Sequence, residues 1–200
     1  VIIVGVGGGL SYASLNATHH ALEDIACLRS LPNMTIVCPG DAWEVRAAIR
    51  AAFDLDSPVY IRLGKKNEPL VHEDVPDFSI GKGMIIKSGE DICLLNSGSL
   101  LPITVDVTRM LADKGVSAQL VNMPTVKPLD VDLLSNIFSE FSHVFTLEEH
   151  SVIGGFGSAV AEWLADQKST KAHLTRIGTD DRFMVEAGDQ EYARFFFGIT

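Results

Sequence analysis

The chain has 200 residues, 46% of them hydrophobic and 21% charged, and carries a formal net charge of −10 at pH 7. That composition suits a globular protein able to bury one or two cores. The acidic balance excludes a general nucleic-acid binder, because no Lys/Arg stripe is available to neutralise phosphates, and no apolar run reaches the ~18–20 residues that span a bilayer.

The opening Val1-Ile2-Ile3-Val4 reads as a buried strand with neither a Met nor basic residues before it. A secretion signal is therefore not expected, and the chain is expected to be part of a longer polypeptide. Residues 5–18 form a Gly/Ser/Asn-rich loop. From His20 to Leu31 the apolar residues Leu22, Ile25 and Leu28 recur every three positions and predict a helix, which Pro32-Asn33 stops. Thr35–Cys38 is the next strand and Pro39-Gly40 a turn. Asp41 can cap a helix running to Phe53, with Glu44 in the first turn where the dipole favours a carboxylate. Val59–Leu63 is a third strand, and this alternation implies parallel pairing.

Residues 67–79 are rich in charge and proline and read as a solvated linker between a first unit, residues 1–66, and a second, residues 80–200. In the second unit Met84–Ile86, on the sheet edge, and Ile92–Leu95 are predicted strands, followed by a helix over Leu101–Lys114 and a strand over Ala118–Met123. A helix over Asp130–Phe141, a strand over His143–Leu147 and a helix over Gly155–Asp166 come next. His173–Ile177 is a strand and Gln190–Phe197 a terminal helix. The fold class is thus α/β, with two three-layer α/β/α units of which the first is truncated. The three cysteines form no C-x-x-C pair and read as buried free thiols in a reducing cytoplasm.

In open α/β sheets ligands bind beyond the carboxyl ends of the strands, where the loop after the first strand lies. That loop is not a dinucleotide fingerprint, since G-x-G-x-x-G would need glycine where Leu10 stands. Thr18-His19-His20 is expected at a helix N-terminus, where the dipole disfavours a protonated ring. His19 and Glu23 share an i, i+4 spacing, but no third ligand accompanies them and no metal site is assigned. Glu148-Glu149-His150 precedes Gly154-Gly155; it reads mainly as an interface, with an anion site at the following helix start or an acid–base site as alternatives. Trp43 and Trp163 sit on predicted helices and read as core or interface.

Thr18-His19-His20-Ala21-Leu22-Glu23-Asp24-Ile25-Ala26, running on into Val37-Cys38-Pro39-Gly40-Asp41, resembles the pyrimidine-domain segment of transketolases and 1-deoxyxylulose-5-phosphate synthases. Val59–Lys65, Met123–Asp130 and Thr146–His150 with Gly154-Gly155-Phe156-Gly157 follow in the family's order. The resemblance covers nearly the whole chain. It implies a truncated pyrimidine-binding domain followed by a transketolase C-terminal domain, in a cytoplasmic enzyme that transfers a ketol unit between sugars. It also implies thiamine diphosphate and Mg2+, held mainly by a diphosphate-binding N-terminal domain or subunit outside this chain, in a homodimer or heterotetramer. The coenzyme is the electron sink of such reactions. The family's glutamate for the aminopyrimidine falls upstream of Val1, so no cofactor-binding residue is assigned, and this part alone is expected to be inactive.

Residue by residue, His19 matches the histidine of the family's Thr-His step, implying a hydrogen bond to a sugar hydroxyl or a proton shuttle. Lys65 matches an arginine that binds the acceptor's phosphate, and Arg62 matches a neighbouring arginine of the deoxyxylulose phosphate synthases. Two departures stand out: Leu15 and Gly7 replace an acidic residue and a histidine that contact sugar hydroxyls. They point to a less usual sugar, for which Gly7-Gly8-Gly9 would leave room. The alternatives are a deoxyxylulose-phosphate-synthase-like enzyme, an oxo-acid dehydrogenase E1 β-like component, and a non-catalytic assembly module.

Overall fold

A computed structural model describes residues 1–65, 67–168, 170 and 172–200. Lys66, the last residue of the expected first unit, lies outside the described residues. Among them no helix is long and apolar enough to cross a membrane.

The first sheet has the order β1 (Ile2–Val6), β3 (Val59–Leu63), β2 (Thr35–Val37), β7 (Thr125–Lys127). β1, β3 and β2 are parallel, with Ile2 opposite Val59 and Thr35 opposite the same residue on the other side. Side chains alternate across this sheet as the pleat requires. Val37, Val59 and Ile61 pack on Ala48 and Ala52 of α2 (Ala42–Phe53), whereas Ile36, Cys38 and Tyr60 face Ile25 of α1 (Asp24–Arg29) and the second unit. β1 is the edge: Ile3, Val4 and Val6 are exposed, contrary to the buried strand expected.

The second sheet has the order β4 (Met84–Lys87), β6 (Ala118–Asn122), β5 (Ile92–Ser97), β8 (His143–Ser151), β9 (His173–Thr179), all parallel except the edge strand β4. Cys93, Leu95, Val121 and Val144 point to one face, under α4 (Val131–Glu140) and α5 (Phe156–Ala165). Leu94, Leu120 and Leu147 point to the other, under α3 (Leu101–Asp113). The terminal helix α6 (Gln190–Phe197) packs through Ala193 and Phe197 onto Leu10, Ala13 and Leu22 of the first unit.

Three differences from the sequence expectation have local causes. α1 begins at Asp24 rather than near His20. Asn16, at a φ of 69°, accepts from Ala17 N and starts a 3-10 turn over Ala17–His19. Gly9 and Ala21 then pair through two backbone hydrogen bonds of 2.9 and 3.0 Å, which hold residues 20–21 extended. β7 leaves the second unit to pair antiparallel with β2, and Lys127 Nζ donates to the carbonyls of Arg29 and Leu31. Among the cysteines, Cys38 and Cys93 are buried and free as expected, but Cys27 is exposed.

Nor is the 67–79 segment a free tether. Asp41 caps α2 by accepting from Glu44 N at 2.9 Å, and its second oxygen accepts from Val71 N, His72 N and the His72 ring. Glu44, fully buried, accepts from Gly40 N and from the Asn122 amide, which in turn accepts from Asn96. This polar chain joins α2 to the middle of the second sheet. Trp163 packs against Phe138 at 5.5 Å between ring centroids. Asp41→Ala removes a cap and three further acceptor bonds at once. It is expected to cost about 2 kcal/mol or more, read as a lower urea midpoint with faster proteolysis at residues 67–79.

Candidate active site

Because β1 and β3 are parallel neighbours, the loops that follow them leave the same edge of the sheet. Gly7 N and Gly8 N both donate to Leu63 O, tying the glycine loop to the end of β3. Lys65 is exposed, and its Nζ lies 5.2 Å from the centroid of the Tyr12 ring, within cation–π range. His19 is exposed on the same loop, with Nδ1 3.0 Å from Thr18 Oγ1. Among the described residues its Nε2 meets no partner. It closes a 3-10 turn five residues before α1 begins, so the helix-dipole effect expected on its ring does not operate.

The three glycines do not leave space for a substrate. A Cβ on Gly7 would fall 2.2 Å from the Tyr12 ring, one on Gly8 2.9 Å from Arg62 Cγ, and one on Gly9 2.5 Å from a Glu149 carboxylate oxygen. Each side-chain position is already filled by another residue. Positive φ at Gly7 (89°) and Gly9 (69°) adds a backbone reason for glycine there.

Arg62 is not at the edge with Lys65. Its side chain is 5% exposed. Nε donates to Asp24 at 2.9 Å, and one terminal nitrogen donates to the carbonyls of Ala21 at 2.5 Å and Glu149 at 3.1 Å. Asp24 also accepts from the Tyr60 hydroxyl at 2.7 Å. Burial alone would raise the Asp24 carboxyl; the Arg62 charge and these hydrogen bonds outweigh it and hold the carboxyl below its ordinary value. Arg62 is thus spent inside the protein, and a substrate phosphate has no access to it in this arrangement. Of the three residues singled out in the sequence, the fold brings Lys65 to the loop of His19 and sends Arg62 inward.

Glu148-Glu149-His150 forms the opposite wall of this interior network. Glu148 accepts from Phe156 N at 2.6 Å and Gly157 N at 2.8 Å, filling the N-terminus of α5 itself. Glu149 accepts from Leu10 N, Gln190 and Arg194, fastening the glycine loop to α6. His150 is fully buried, with Nδ1 on Ser151 O and Nε2 facing Ala26 N. The tripeptide is therefore an interface within the chain, between its two units. Nothing in the sequence singles out Asp24, Tyr60 and Arg194 as its partners, although Arg62 within the apolar run Val59–Leu63 is a visible anomaly.

Asp41, Glu44 and His72 bring ligand atoms within 4.8 Å of one another. Their carboxylates already accept the hydrogen bonds that cap α2 and anchor residues 71 and 72, so a structural role accounts for them.

The family model described as "Transketolase, pyrimidine binding domain" matches residues 1–69, and "Transketolase, C-terminal domain" matches residues 81–199. One of the two kinds of subunit of the apulose-4-phosphate transketolase of Phocaeicola vulgatus is 36% identical over 192 residues, covering 96% of this chain and 61% of the relative. A 1-deoxy-D-xylulose-5-phosphate synthase of Geobacter sulfurreducens is 36% identical over 185 residues, 91% of this chain and 29% of that protein. A solved structure described as "Split gene transketolase, inactive beta4 tetramer" superposes with a TM-score of 0.89 at 34% identity, over 100% of this chain and 63% of that one. The chain thus spans about three-fifths of the length of the first and the last of these.

The interior network carries opposed pH signals. Burial pushes Glu148 up to about 7, so it contributes stability at pH below its unfolded value near 4.5 that is lost as pH rises through 7. Burial, with the Arg62 charge, pushes His150 down to about 4, so it contributes stability above pH 6.5 that is lost as pH falls through 4. Relative to the wild type and with rising pH, Glu148→Gln is expected to gain stability steadily between pH 4.5 and 7, and His150→Gln to lose it between pH 4 and 6.5. Urea titrations of the three proteins across that range test both slopes.

Proposed function

The chain belongs to the transketolase family, and from that premise we propose that it works as the pyrimidine-binding and C-terminal part of a thiamine diphosphate-dependent transferase moving a ketol unit between sugar phosphates. The observation that carries this reading is the exposed His19 imidazole at the carboxyl edge of the first sheet, on a loop that Lys65 also touches. A ring fixed at Nδ1 by Thr18 can offer Nε2 to a sugar hydroxyl or to the alkoxide that develops from it. Lys65 acts as a point charge for an acceptor phosphate, without the two-pronged geometry of an arginine.

The diphosphate and Mg2+ are left to a partner subunit or domain, because the residues here do not fit them: the α5 N-terminus is filled by Glu148, and the glycine loop is packed against Tyr12, Arg62 and Glu149. No chemical step is drawn through the coenzyme. Two relatives support the division of labour: one is a subunit of a transketolase, and the split-gene structure is described as an inactive β4 tetramer. In the same way this half is inactive by itself, and an assembly of two copies of each subunit completes the site. The deoxyxylulose phosphate synthase relative supports a second reading with pyruvate as donor; release of carbon dioxide from pyruvate by the complete enzyme would favour it, and ketol transfer without it the first.

In the complete enzyme His19→Ala is expected to lower kcat at least tenfold, about 1.4 kcal/mol of barrier, with coenzyme affinity unchanged. Unaltered steady-state kinetics would remove His19 from the site. Lys65→Ala is expected to raise KM for phosphorylated acceptors while sparing unphosphorylated ones; an equal rise for both would contradict the phosphate contact.

A further inference from the structure

Between residues 17–26 of the first unit and residues 151–153 and 179–183 of the second lies a cleft of about 350 Å3, at the small end of the range of about 300–1,000 Å3 for small-molecule sites. The reaction proposed above makes no use of it. His19 is absent from its lining, which takes His20 instead.

Two polar atoms on this lining are buried without a hydrogen-bond partner among the described residues: Nε2 of His20 and Oγ1 of Thr179. Thr179 is 1% exposed. Buried polar groups are paired in the great majority of cases, so two unpaired ones on the wall of one cleft mark a place for a polar occupant. The surrounding charge sets its sign. Glu23, Asp180 and Asp181 line the cleft, and Arg182 is its only Lys or Arg. Arg182 is engaged elsewhere: Nε is 2.9 Å from Asp180, a terminal nitrogen donates to Phe196 O, and the guanidinium lies 4.3 Å over the Phe196 ring. Two carboxylates remain unbalanced, in a chain of net charge −10. Ile153 and Phe183, both well exposed, add an apolar flank.

We propose that this cleft binds a small organic cation through a primary ammonium group. An ammonium has three donors and no acceptor. The unpaired imidazole nitrogen, the threonine hydroxyl and the Glu23 and Asp181 carboxylates all accept, and a short carbon chain can lie against Ile153 and Phe183. An anion would meet the unbalanced carboxylates, and a neutral molecule would gain nothing from them.

The test is an NMR titration of the protein with n-butylamine at about pH 8, where both the ammonium and a neutral imidazole prevail, with butan-1-ol as the uncharged counterpart. Saturable shifts at His20 and Thr179 are expected with the amine, and at least tenfold weaker binding of the alcohol. Thr179→Val is expected to weaken the amine about five- to tenfold while leaving the thermal midpoint unchanged or higher, because the hydroxyl it removes has no partner to lose. Asp181→Asn, on the exposed rim, is expected to weaken it as well. Equal affinity for the alcohol would overturn recognition of charge. Absence of a saturable response to the amine, or binding undiminished in both variants, would overturn the site. The titration requires neither coenzyme nor turnover, so its outcome is independent of the function proposed above.

Discussion

One buried guanidinium holds the arrangement together. Arg62 leaves β3, fills the space beside Gly8, and joins Asp24 of α1 and the carbonyls of Ala21 and Glu149. A middle strand, a helix and the facing strand of the second unit thus converge on one charge. A buried ion pair is stabilising only when its remaining donors and acceptors are satisfied, and removing one partner typically costs about 3–5 kcal/mol. Here Tyr60 and two backbone carbonyls complete the set. The pair therefore fixes how the two units meet, since no other position of β8 would bring the Glu149 carbonyl to the same nitrogen.

The loop that carries His19 inherits its geometry from that clamp. Its glycines are obligatory because Tyr12, Arg62 and Glu149 occupy the volumes their side chains would need. Leu10 N is held by Glu149, which is held in turn by Arg194 of α6. A loop fastened along one side to buried charges can present an exposed imidazole on the other without collapsing onto it. Exposed His19 and Lys65 are free to meet a substrate; Arg62, Asp24 and Glu149 are committed to positioning them. The same pinning creates the cleft beside His20, where the extended residues 20–22 run past the loop before β8's following turn.

Much of the fold was legible along the chain. Period-three apolar spacing and the Asp41 and Asp130 caps locate α2 and α4, and β-branched runs locate most strands. The failures come where non-local pairing overrides local preference. Ala21 has good helix propensity, yet pairing with Gly9 holds it extended and delays α1. β7 is three residues long, too short for an alternating pattern to register, and exists because β2 offers it an edge. The charged 67–79 segment reads as solvated, but backbone N–H groups at 71 and 72 carry no sequence signature and are what Asp41 binds.

The sequence by itself determined the α/β alternation, the likeness to the transketolase family over nearly the whole chain, and the Thr-His step on a loop at the carboxyl edge of the first sheet. Only the tertiary structure decided that Lys65 stays outside while Arg62 is consumed inside, that the triglycine is packed rather than open, and that Glu148-Glu149-His150 joins the two units instead of receiving an anion. The reason is one of range. Helical period, strand alternation and capping are set by residues within about four positions of one another, whereas the fate of a charged side chain depends on which partners reach it, and Glu149 meets Leu10 across 139 positions of chain.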